Sequence, residues 1–315
     1  DDARNGLVTA DISMNPTVSA IEFSNQYGPN IGIGVRPLAN STGSWNVAIG
    51  KDAMTTSTTG YGNVAVGYEA MMDNTTGYQN IALGMNALHE NTIGNRNIAI
   101  GDGALYGSTG SAHGNVALGF ATIGATNTGS YNTAVGYGAV YSNTGGTGNV
   151  GVGNLALNTN TTGGTNVAVG NEALHDNTTG YENVAVGHQA LKNNTTGSYN
   201  IASGYQALYK NTTGGRNIAI GKYALQENTD ALSNIAVGQQ ALQENTTGDA
   251  NVAVGTYSTS GNITGNYNTA VGHNTLYSAT GGSYNVAIGL GALYFNNVSE
   301  NVAVGTDAMR YNTGG

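Results

Sequence analysis

Five histidines, eighteen carboxylates and nineteen tyrosines are the side chains of this 315-residue chain with chemistry to offer. Acid–base catalysis or metal ligation needs unlike groups gathered at one point. His89 and His175 share one place in an internal repeat, and His188 and His273 share another. Neither pair falls on adjacent repeats, and His113 stands alone in the one lengthened turn. Acidic residues recur at Asp73, Glu90, Asp176, Glu227 and Glu244. That column would suggest calcium only beside the Gly-Gly-x-Gly-x-Asp nonapeptide of calcium-binding solenoids, which is absent. The glycine-rich turns contain no Gly-x-x-x-x-Gly-Lys-Ser/Thr phosphate loop. Without cysteine there is no thiolate nucleophile, disulfide or thiolate metal site. These residues predict no enzyme: no catalytic residues, no metal site and no cofactor, with the histidines exposed and solvated.

The tyrosines are patterned. Tyr106, Tyr141, Tyr209, Tyr277 and Tyr294 share one repeat position, while Tyr61, Tyr78, Tyr131, Tyr181, Tyr199, Tyr267 and Tyr284 occupy the last two positions of their repeats. A tyrosine ring stacks while its hydroxyl bonds, so the first five are candidates for recognising a cell-surface glycan or protein. Stacking from one repeat to the next, which stabilises without recognising anything, is the competing reading.

The element that positions all of these is a repeat of 17 residues, opened each time by Asn. Anchors run from Asn46, Asn63 and Asn80 through Asn166 and Asn183 to Asn301, with one 18-residue and one 16-residue step and a weaker copy at Asn30. Counting the anchor as position one, position five is glycine in all sixteen coils from Asn46, as at Gly50, Gly67, Gly84, Gly170 and Gly187. Position three is alanine in all but one, as at Ala48, Ala65, Ala82, Ala168 and Ala185, with Gly151 the exception. Positions two and four are mostly Val, Ile or Leu.

That alternation predicts a short strand ended by a glycine turn. Positions eight and nine, usually Ala-Leu, predict a second short strand with nine inward and eight outward, because the mixed residues at position ten tolerate only solvent. A second turn follows, typically Asn-Thr-Thr-Gly. Two strands and two turns in 17 residues make one coil of a parallel β-solenoid, or β-roll. About seventeen coils at ~4.8 Å give a rod on the order of 77 Å long. Each coil then buries two branched aliphatics and one Leu, supplemented by stacked Asn at positions one and twelve. The small residues at positions three and eight face outward, and Ala48, Ala65, Ala82, Ala168 and Ala185 form a seam where another chain approaches side by side.

No boundary divides the repeat, so residues 30–315 read as one continuous domain, with 1–29 as an N-terminal cap or docking segment. The final repeat shows no polar cap, which makes end-to-end stacking into a filament an expectation of its own. A net charge of −9 with no basic run predicts no nucleic-acid partner, and no apolar stretch approaches the ~20 residues of a membrane span. The weakly charged, cysteine-free composition and a first residue other than Met fit a secreted mature chain.

The phrase Asn-Val-Ala-Val-Gly-x-x-Ala-Leu at Asn166–Leu174 and Asn183–Leu191 resembles the head repeats of trimeric autotransporter adhesins. Asn132–Gly136 and the Asn-Thr-Thr-Gly turns resemble more closely the arrays of phage tail-fibre and related surface-fibre proteins. The resemblance spans residues 30–315 and implies a β-roll in a homotrimeric extracellular fibre; it implies no ligand. The expected function is a structural and adhesive fibre subunit. A receptor-binding segment of a phage tail fibre is the alternative. Ice binding by threonine arrays ranks below both, because the paired threonines are adjacent in a turn rather than alternate on a strand.

Overall fold

One side chain per coil sets the fold. In a computed structural model, which describes residues 21–24, 30–108, 110–124, 127–312 and 314, each anchor asparagine turns inward and is used by its neighbours. The Asn183 backbone N–H donates to Oδ1 of Asn166 (3.0 Å), and the Asn183 Nδ2 donates across its own coil to the Gly197 carbonyl (2.9 Å). The same backbone-to-Oδ1 bond links every successive anchor from Asn30–Asn46 to Asn285–Asn301 without a break. A second ladder at position twelve runs from Asn127 to Asn262, as in Asn177 Nδ2 to Asn160 Oδ1 (2.8 Å). That ladder is interrupted where Ser108 and Ala279 replace Asn, and Oδ1 of Asn91, next to Ser108, is left unpaired.

The backbone follows the side chains. Strand β1 (Ile21–Ser24) is followed by β2 (Asn30–Ile33), then by fifteen three-residue strands, β3 to β17, running from Val47–Ile49 to Val286–Ile288; β18 (Phe295–Asn296), β19 (Val302–Val304) and β20 (Tyr311–Asn312) complete the chain. Strands β2 to β17 and β19 stack in parallel with each residue over its repeat equivalent, so Val167, Ala168 and Val169 sit beside Val184, Ala185 and Val186. The all-β parallel solenoid is thus as expected. Of residues 1–29, only 21–24 are among the described residues, so most of the expected cap or docking segment lies outside them. Strand β1 pairs antiparallel with β2, Ile21 opposite Ile33, and takes the backbone edge that a parallel strand from another copy would need there.

Among the described residues, the second strand expected at positions eight and nine is absent. Positions seven, nine and seventeen instead adopt left-handed backbone, as at Glu172 (φ 52°), Leu174 (φ 52°) and Glu182 (φ 54°). Such a residue costs about 1–2 kcal/mol outside glycine. Here each one aims its N–H at a carbonyl of the neighbouring coil: Glu172 to Asn154 (2.9 Å), Leu174 to Ala190 (3.0 Å) and Glu182 to Gly164 (3.1 Å). Glycine at position five has two reasons to be there. Gly67 has φ 142°, and a Cβ on it would lie 2.3 Å from the Gly84 carbonyl oxygen of the next coil.

The interior reverses the expected orientation of the strand. Ala48, Ala65, Ala82, Ala168 and Ala185 are fully buried, so they are core and not an oligomer seam. Positions eight and nine are both buried, as at Ala173 and Leu174, because left-handed backbone at seven and nine turns successive side chains the same way. The branched aliphatics at two and four point outward and remain partly or fully exposed. The cause is the narrow gap between the strand layer and the turn layer. At Gly151, where glycine replaces alanine at position three, an added Cβ would lie 2.6 Å from Cγ2 of Val140. A methyl group facing a Leu fills that gap; a valine does not fit.

Two stability tests follow. Asn183→Ala removes the acceptor of the buried Asn200 N–H (2.9 Å), an orphaned donor worth about 1–3 kcal/mol. Asn177→Ala orphans no backbone N–H, since the Asn194 amide it releases keeps the Gly197 carbonyl (2.9 Å). Thermal unfolding should therefore show the larger loss for Asn183→Ala. Gly151→Ala should cost about 1–3 kcal/mol by overpacking. In a double-mutant cycle that cost should shrink markedly in a Val140→Ala background.

Candidate functional site

With the core occupied by Ala, Leu and Asn, any function of this rod lies on three outer surfaces. The first is the strand face. Positions two and four from β2 to β19 carry Val, Ile or Leu everywhere except Thr133, Ser203 and Thr269, and no charged residue. Ile201 is 40% exposed, Ile220 43% and Ile288 42%. The face is continuous because the strands stack in register, and it was missed in the sequence because size alone assigned these residues to the core.

The second surface is the corner formed by positions six, seven, ten and eleven. Lys192 Nζ pairs with Glu172 Oε2 (2.6 Å), which also accepts from Gln189 Nε2 (2.9 Å). Gln189 accepts from Gln206 (2.7 Å), Gln206 from Gln226 (3.0 Å) and Gln226 from Gln243 (2.9 Å). This amide ladder consumes its own donors and acceptors. The bonds from Lys192 and Gln189 hold the Glu172 carboxyl below its usual range, and the bond to Glu172 raises the Lys192 ammonium above its own. A depressed carboxyl stabilises above its unfolded value and loses that contribution as pH falls through the folded one. In a carbon-detected NMR titration Glu172 should titrate below an ordinary glutamate, and Lys192→Met should bring its midpoint back up.

The five tyrosines singled out by position lie on this corner without forming one site. Tyr106 stacks on His89 (5.0 Å), and Tyr277 stacks on Tyr294 (5.0 Å). Tyr209, Tyr277 and Tyr294 are half-buried rather than exposed. Four of the five therefore serve inter-coil packing or sit partly covered. Tyr141 opens onto a hollow, described below. Tyrosines of the last two positions also stack, as in Tyr61–Tyr78 (4.9 Å) and Tyr267–Tyr284 (5.1 Å).

The third surface is the Asn-Thr-Thr-Gly turn. The first threonine of each pair is engaged, as in Thr178 Oγ1 donating to the Thr195 carbonyl (3.0 Å). Only the second threonine presents a hydroxyl outward.

The histidines are dispersed. His89 Nε2 lies 3.5 Å from Glu69, His175 Nδ1 bonds Asp176 (2.6 Å), His188 stacks on Tyr205, and His113 Nδ1 accepts the Asn95 N–H (3.1 Å). Among the described residues no three His, Asp or Glu side chains converge where a metal ion could be held. Comparison of the chain with known protein families and with curated proteins finds no match.

Proposed function

We propose that this chain is a non-enzymatic structural and adhesive subunit of an extracellular fibre, assembled side by side with copies of itself through the strand face. The observation that carries this reading is the pair of apolar columns at positions two and four, broken by Thr133, Ser203 and Thr269 alone. Taken together the columns are about 10 Å wide and ~77 Å long, on the order of 800 Å². Exposed apolar patches on monomeric proteins stop at roughly 300–600 Å². About 800 Å² is what one partner contributes to a standard protein interface. A straight, uncharged partner of the same length is needed to cover it, and a second copy supplies one. Three copies, with the columns converging on a shared axis, is the stoichiometry implied by the resemblance to trimeric surface fibres. Burial of the strand face would also supply the apolar core that each thin coil lacks alone.

The test separates the outer face from the inner one. Val186→Lys combined with Ile220→Lys places charge on the strand face, at side chains 40% and 43% exposed. Native mass spectrometry should find three chains for the parent and one for the variant, with the β signal in circular dichroism retained. Ala185→Lys, at a fully buried position, should unfold the chain instead. A single-chain parent would overturn the proposal.

A further inference from the structure

A repeat presents the same residues many times, so a place where unlike residues gather once is informative. One such place lies on the corner surface across the coils opened by Asn115, Asn132 and Asn149. A hollow of about 290 Å³ is lined there by Phe120, Tyr137, Tyr141, Gly138, Leu155 and Asn158, among others. It exists because two positions depart from the repeat. Position seven is Glu or Gln in five coils, three of which feed the amide ladder, but Ala at 121 and Gly at 138, as it also is at 103 and 291. Position ten is glycine only at Gly124, where a Cβ would lie 2.2 Å from Cε2 of Tyr141, so the Tyr141 ring lies over the space that glycine leaves.

From the hollow and its lining we infer a binding site for a neutral pyranose sugar. Phe120 and Tyr137 stack at 5.6 Å with planes 8° apart, and are 52% and 56% exposed. Stacked on each other in successive coils, the two rings are held rigid by the solenoid, and the ring surface they leave exposed can take the C–H face of a sugar. Tyr141, 44% exposed, stands beside it with its hydroxyl, and Asn158 is held in place by its Nδ2 bond to the Gly138 carbonyl (2.7 Å), leaving its Oδ1 as an acceptor. No ionisable carboxylate or amine lines the hollow, which selects against charged peptides and sialylated termini. Its volume is near the lower end of ligand sites, roughly 300 Å³, and suits one or two sugar rings. This inference rests on reading the rod as adhesive.

The experiment uses the full chain in its native assembly. Methyl β-galactoside, methyl β-glucoside and methyl α-mannoside are titrated separately to about 50 mM while the aromatic resonances of Phe120, Tyr137 and Tyr141 are followed by NMR. At least one should shift these resonances with a dissociation constant in the millimolar range. Tyr137→Ala should weaken that binding about tenfold. Gly138→Gln places at this left-handed position the residue that other coils carry there, and its Cβ meets the ends of two side chains, Leu155 Cδ2 (2.9 Å) and Asn158 Nδ2 (3.3 Å). It should keep the parent's native mass and abolish binding. No shift with any glycoside, a response to phenol alone, or undiminished binding in Gly138→Gln would overturn the site. Those failures leave the self-assembly test untouched. Binding by a chain that fails to adhere to glycan-bearing cells would keep the site and overturn the adhesive reading.

Discussion

The buried asparagine ladder is the constraint on which the rest of this structure depends. At position one the side chain must accept a backbone N–H from the coil above and donate to a carbonyl across its own coil, two bonds in opposite directions. Only an amide of this length does both. Asp lacks the donor and Gln places it one methylene too far. Because each Asn is both donor and acceptor, the ladder fixes the height and rotation of every coil relative to the next. Position twelve carries a lighter duty: the backbone N–H groups it accepts, from Gly129 at Asn127 and Gly265 at Asn262, are those of its own turn and not of the next coil, and the chain accordingly tolerates Ser57, Ser108 and Ala279 there.

Once the ladder draws the strand and turn layers together, the interior has room for little more than methyl groups against Leu or Met. The large branched residues are thereby excluded from the core and line up outside. A solenoid with a wide interior buries its valines and is complete alone. This one buries its alanines and leaves its valines and isoleucines outside, which is the basis of the self-assembly proposed above. The left-handed residues at positions seven and nine belong to the same economy of space, since they turn two successive side chains inward within a tight bend. Even β-branched Ile123 (φ 48°) and Val140 (φ 54°) are held in that conformation by inter-coil hydrogen bonds.

Much of the fold was legible in the sequence because a 17-residue period dominated by Asn, Gly and alternating Val-Ala-Val permits few architectures. The orientation of the strand was not. Val-Ala-Val reads by size as valines in and alanines out, and nothing local contradicts that. The deciding fact is the separation of two layers, a tertiary quantity set by Asn166 and Asn177 and their equivalents. A single residue did hold the clue: Gly151 replaces alanine in the coil adjacent to the one whose position nine is Val140 in place of Leu. Position three facing position nine explains that substitution, although Ile123 keeps an alanine, Ala134, in the same relation. The second strand failed for a related reason, because left-handed backbone at Leu or Glu has no propensity signature and is imposed by the neighbouring coils. For the candidate site, tyrosine position alone did not separate Tyr141 from its four equivalents. The small residues around it, Gly124 and Gly138, did.

The most direct test of the ladder is hydrogen exchange at the asparagine side-chain amides. In the folded protein the NH₂ protons of the anchor series from Asn63 to Asn268 should exchange as slowly as the backbone amides of the strands they bridge. Exchange at the rate of a solvated asparagine, with the strand amides still protected, would contradict the account.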